Sequence, residues 1–206
     1  GAVTENNRLR YTDLVNDAGR YSLVIDELTP VFNKDERVPE VANRLVYAML
    51  RAGRYKEAQA VLKKHARAGG LDAYGYALLA VVEDWFGNDQ QSLAAEQEAL
   101  LSDPSNLGVR TAQAFLALRR GKLQTVESIV QQLSNTDRYS PITNYYLTSL
   151  YFFQANFEAS QTAFLTALWS DPSMVHVYME RCNQAIAFYV TRKAAGETIK
   201  YQLDFA

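Results

Sequence analysis

Glycine recurs at a fixed interval along this chain. Gly19, Gly53, Gly87 and Gly121 lie 34 residues apart, and Ala155 holds the next place on the same grid. A constant interval of this length means stacked copies of one small unit, each unable to bury its apolar face alone. Blocks of that period open at Glu5, Pro39, Ala73, Leu107 and Pro141. Each block reads as two helices joined by a tight turn. In the second block, Ala42, Leu45, Val46, Ala48 and Met49 recur at helical spacing and define one apolar face. After the turn Ala52-Gly53-Arg54-Tyr55, a second helix turns Ala58, Val61 and Leu62 inward and Lys56, Glu57, Lys63 and Lys64 outward. Glycine belongs at the turn because the closing residue of a helix takes positive φ, which strains any residue with a Cβ.

Other positions keep the same phase. Two residues beyond each turn stand Tyr21, Tyr55, Asp89, Leu123 and Phe157, four of the five large and apolar or aromatic, as packing across the turn requires. Five beyond stand Val24, Ala58, Ser92, Val126 and Ser160, small enough for two helices to approach closely. Asp103-Pro104 and Asp171-Pro172 each end a second helix, because the proline ring excludes the preceding turn.

This pattern resembles the tetratricopeptide repeat: the turn glycine, the large residue two places on, the small residue after it and the closing Asp-Pro. The match spans about residues 5–174. It departs at Gln113, where the family places leucine, and at Glu83 and Glu96, which fall on positions that are buried in the family. The resemblance implies an all-α, right-handed superhelical solenoid of about five hairpins (5–38, 39–72, 73–106, 107–140, 141–174) with a concave inner wall. Val175, Tyr178, Met179, Cys182, Ala185, Ile186 and Tyr189 keep helical spacing, so residues 175–195 are expected to cap the last hairpin. In 197–206 the apolar residues alternate as in a strand; this reads as a frayed end, a segment docking in a groove, or the start of a β domain.

Composition narrows the function. Lys and Arg number 21 against 23 Asp and Glu, with no basic run longer than a pair, which argues against a nucleic-acid partner. No apolar run reaches membrane-spanning length. The one cysteine, Cys182, forms no internal disulfide and reads as a packing residue, because no sequence-local helper activates it. His65 and His176 lack neighbouring ligands or carboxylate partners and read as ordinary surface or interface imidazoles. Adjacent helix residues point about 100° apart, so Glu83 and Asp84 do not form a facing acid pair. Gly69-Gly70 and Gly75 lack the lysine of a phosphate loop and read as the link between the second and third blocks. The reading is of a chain that is not an enzyme and holds no cofactor or metal.

By resemblance, the first helix of each hairpin lines the concave wall. Carried over position by position, the wall holds Asn43, Tyr47 and Arg51 in the second block and Tyr74 and Trp85 in the third. It continues with Phe115 and Arg119 in the fourth and Tyr145, Phe152 and Phe153 in the fifth. Exposed helix faces are ordinarily polar, so this aromatic set suits an extended or helical peptide, with Arg51 and Arg119 available for a carboxylate or carbonyl. The Lys and Asn clamp that some family members use for a C-terminal carboxylate is missing; Leu9, Asp13, Asn43, Tyr47, Ala77 and Val81 hold its places. The wall is acidic near Asp13, Asp17 and Glu40 and aromatic toward the fifth block.

The expectation is a non-catalytic scaffold for a protein or peptide partner, in a bacterial envelope, pilus or secretion assembly. A periplasmic or outer-membrane-associated setting is expected over the cytoplasm. The alternatives are a module excised from a larger protein, such as a polysaccharide-export porin, and a self-associating regulatory subunit (a homo-oligomer). Gly1 in place of Met reads as a scar of tag removal, which fits a mature form or an excised piece.

Overall fold

A computed structural model of the chain describes residues 5–136, 140–154 and 156–170. Among them are ten helices: α1 (Glu5–Asp17), α2 (Tyr21–Phe32), α3 (Pro39–Arg51), α4 (Tyr55–Arg67), α5 (Ala73–Trp85), α6 (Asp89–Ser102), α7 (Leu107–Arg119), α8 (Leu123–Thr136), α9 (Pro141–Phe153) and α10 (Phe157–Ser170). Both the first and the second helices of the hairpins start 34 residues apart. The positions Ala155, Asp171, Pro172, His176 and Cys182, the helix expected at 175–195 and the tail 197–206 lie outside the described residues.

The helix ends follow from local chemistry. Gly19, Gly53, Gly87 and Gly121 have φ of 71°, 73°, 74° and 69°. At Gly53 the amide bonds to the Leu50 carbonyl at 3.1 Å, and the Arg54 amide reaches back to the Met49 carbonyl at 2.8 Å. The same pair of bonds closes the helix at Gly19, Gly87 and Gly121, and it satisfies carbonyls that the helix leaves without partners. Gly69, with φ of 74°, ends α4 in the link between the second and third blocks. The residue before a first helix caps it: Asp72 accepts from the Gly75 amide at 2.7 Å, Asn106 from Val109 at 3.2 Å and Ser140 from Thr143 at 3.4 Å. α3 lacks such a cap at Val38 but begins on Pro39, whose missing N–H is no loss at that position.

The chain forms two compact units, Gly1–Ala112 and Gln113–Ala206. In the first, α3 packs against α1, α2, α4 and α5, and the first helices α1, α3 and α5 lie side by side. Its core holds Leu28, Phe32, Leu45, Val46, Leu62, Leu78 and Val82, all buried. Each such side chain contributes roughly 1.5–3 kcal/mol by leaving water. The Arg44 guanidinium ties α3 to α1 through two bonds to the Asp13 carboxylate, at 2.7 and 3.0 Å. Within the third hairpin, the buried Ser92 hydroxyl donates to the Ala80 carbonyl at 2.8 Å, so the helices touch where a small residue stands.

Glu83 and His65 are among the polar residues buried in this unit. Glu83 is buried, and Gln59 donates to it at 3.0 Å, Asn88 donates as well, and the Lys63 ammonium lies at 3.4 Å. These groups compensate a buried carboxylate, which alone would cost several kcal/mol. His65 is fully buried, not on the surface. Its Nδ1–H donates to the Glu36 carbonyl, and its ring meets Phe32 edge-on at 6.3 Å. An added Cβ at Gly70 would overlap the imidazole, so glycine there is what lets the link between α4 and α5 close over it.

The second unit contains α8, α9, α10 and the larger part of α7. Tyr146, Leu116, Leu118, Val130 and Leu150 are its buried centre. The Ser160 hydroxyl donates to the Thr148 carbonyl at 2.8 Å, repeating two periods later the bond made by Ser92.

Candidate functional site

On α3 a half-buried stripe of Arg44, Tyr47 and Arg51 runs at i, i+3 and i+7, while most other side chains of the helix are buried. On α5 the half-buried Tyr74 and Trp85 extend the same face. The neighbouring hairpin holds these groups in place. Arg51 Nε donates to the Tyr21 hydroxyl at 3.1 Å, and its guanidinium lies 5.4 Å from the Tyr21 ring centroid. Trp85 stacks on Tyr55 at 4.1 Å with the planes 11° apart. Tyr21 and Tyr55 each stand two residues past a turn glycine. The sequence reading puts them across their own turn, whereas the structure sends them forward onto the first helix of the next hairpin. Tyr74 lies against Gly108, where an added Cβ would come within 2.5 Å of its ring.

Asn43 also belongs to the expected wall, but only 8% of it is exposed. Its Nδ2 donates to both carboxylate oxygens of Asp72, at 3.0 and 3.2 Å. Asp72 itself is exposed, and the sequence reading treats it only as part of a link. The available signal is its place on the grid: the residue before each first helix is Val38, Asp72, Asn106 or Ser140, three of them good caps. Burial pushes the Tyr74 hydroxyl above the ordinary phenol range, with Tyr47 and Asp72 adding to the effect. The residue as a whole is half-buried, yet its ring is enclosed by protein on the Gly108 side.

The second unit treats two of these grid positions differently and, like the first at Asn43, buries a third. Phe115, Arg119 and Tyr145 are expected on the exposed wall, but the structure buries them to 2%, 4% and 2% exposure. Arg119 lies over the Phe115 ring at 5.8 Å, and Tyr145 meets Tyr146 edge-on at 5.5 Å. Phe115 and Arg119 cover one another, and Tyr145 packs on Tyr146 in a helix, α9, that has α8 on one side and α10 on another. Phe152 stays half-buried against Phe157, their centroids 5.6 Å apart. Phe153 closes α9, but its side chain lies outside the described residues. A cavity of about 660 Å³ in this unit is lined by Asn135, Asn144, Leu147, Tyr151 and Thr162 among others.

Among the described residues, no group of three or more His, Cys, Asp or Glu side chains could hold a metal ion. No helix among them is long and apolar enough to cross a membrane.

No family model and no curated protein matches the chain. Solved structures do. The thermophilic TPR protein TTC0263 of Thermus thermophilus superposes with a TM-score of 0.71 at 18% identity, covering 89% of this chain and 100% of that one. A human IFIT1 dimer with m7Gppp-AAAA superposes with a TM-score of 0.68 at 17% identity, covering 86% of this chain and 44% of that one. The chain therefore has the all-α fold of the tetratricopeptide-repeat solenoids.

Proposed function

We propose that this chain is a non-catalytic scaffold whose first-helix face in residues 1–112 holds an extended peptide of a partner protein. The observation that carries the reading is the half-exposed set of Tyr47, Arg51, Tyr74 and Trp85, in which Tyr21 holds Arg51 and Tyr55 holds Trp85. Rings that are already stacked lose little freedom on binding, so more of the contact energy appears as affinity. A polar helix face needs no such set, and buried rings would not be half-exposed. The setting we infer, an envelope, pilus or secretion assembly in a bacterium, rests on analogy of fold with bacterial arrays.

The test is selection of nonapeptides from a phage library on the full chain, followed by titration of the selected peptides. The variants Tyr47→Ala and Trp85→Ala should weaken binding about tenfold or more, the size of a hot-spot loss, with far-UV circular dichroism unchanged. Equal affinity for the parent and both variants would remove the face from consideration.

A second reading, self-association, is favoured by one observation. Phe157, Leu165 and Trp169 are exposed on α10, Trp169 to 89%. Sedimentation over a hundredfold range of concentration decides it; a single monomeric species throughout would dismiss it.

A further inference from the structure

The exposed Asp72 carboxylate caps α5 and lies beside Asn43 and Tyr74. We propose that this place recognises a cationic side chain, the Lys or Arg of a bound peptide, with Asp72 as counter-ion and the Tyr47 and Tyr74 rings beside it. The inference rests on the peptide-binding reading above and names the chemistry of its ligand.

Three features support it. First, the Asp72 carboxylate is exposed and held still. It accepts from the Gly75 amide and from Asn43 Nδ2, both neutral donors that fix its position and leave its charge in place. Among the described residues, no Lys or Arg forms an ion pair with it. Second, the arginines of α3 are already engaged. Arg44 bonds to Asp13 and to the Glu40 carbonyl, and Arg51 bonds to Tyr21. Third, Asn43 Oδ1 is buried with no hydrogen-bond donor against it. Its uncompensated partial negative charge sits beside the carboxylate that its own Nδ2 holds.

The aromatic neighbours suit the same ligand. Tyr74 is pinned by Gly108 and stays a neutral phenol, because burial and the nearby Asp72 oppose its ionisation. A cation near such rings gains attraction to their faces beyond its attraction to the carboxylate. An acidic or phosphorylated side chain would instead meet the Asp72 carboxylate with like charge.

The experiment is a comparison of the phage-selected nonapeptides on the parent chain and on Asp72→Asn. Asparagine keeps the helix cap, so α5 should fold as before; Asp72→Ser, also a good cap, replaces it if circular dichroism shows otherwise. The expected result is enrichment of Lys or Arg at one peptide position on the parent. That enrichment should vanish on the variant, with about a tenfold loss of affinity for the parent's peptides and a flatter dependence on salt. If peptides bind and respond to Tyr47→Ala but show no basic preference, the cation inference is overturned and the peptide reading stands. If no peptide is enriched at all, both fall.

Discussion

The two units answer the same repeat differently. In residues 1–112 the wall positions keep rings and guanidinium groups half-exposed at Tyr47, Arg51, Tyr74 and Trp85. In residues 113–206 Phe115 and Arg119, the counterparts of Tyr47 and Arg51, are buried. A family position therefore says where a residue sits along a helix, and the groups packed against that helix decide whether the residue meets water. α3 has a narrow polar stripe through Arg44, Tyr47 and Arg51; the corresponding stripes of α7 and α9 are largely closed.

The largest effect that could break this contrast comes from ring deletion. Phe115→Ala, at the counterpart of Tyr47, should cost about 3–5 kcal/mol, as for a large buried core side chain, with hydrogen exchange rising mainly in the second unit. Tyr47→Ala should cost about 1 kcal/mol or less, since surface changes are usually small. Chemical denaturation of the two variants compares them directly, and equal losses would end the distinction.

Asn43→Ala sharpens it further. Removing a donor to an exposed carboxylate should destabilise by about 1.5–3 kcal/mol, the range for bonds to charged groups. Unchanged thermal melts would mean that Asn43 is free to serve a ligand after all. Gly53→Ala forces a Cβ into the left-handed region at no steric contact with other residues, and should cost about 1–2 kcal/mol. The loss should match that of Gly121→Ala in the second unit, because both turns have the same geometry; unequal losses would show that the turns are not equivalent.

The smallest effect is in the acid limb. Hydrogen bonds from Arg37 and Arg54 hold Asp35 and Glu57 below their ordinary values of 3.8 and 4.5. A depressed folded pKa gives a contribution that is complete above the ordinary value and lost as pH falls through the lowered one. Both groups lie at the surface in contact with water, so the loss is small. Asp35→Asn should flatten the pH dependence of stability only below about pH 4; a change confined to neutral pH would contradict the assignment.

Much of this architecture is legible in the sequence, for reasons that particular residues make plain. Gly53 ends its helix through its own φ and through bonds from its amide and the next to carbonyls of the preceding turn. Asp72 and Ser140 cap helices through amides three residues ahead. The spacing, the hairpins and the turns are thus decided within a few residues of chain, and periodicity carries them. The wall is less legible. Arg51 is held by Tyr21, Trp85 by Tyr55 and Asn43 by Asp72, each pair about thirty residues apart. The burial of His65 depends on Phe32, Glu36 and Gly70 meeting around it. Local backbone preference is written in adjacent residues, whereas the exposure of a side chain is set by whatever the neighbouring hairpins bring against it, and only the packed chain decides that.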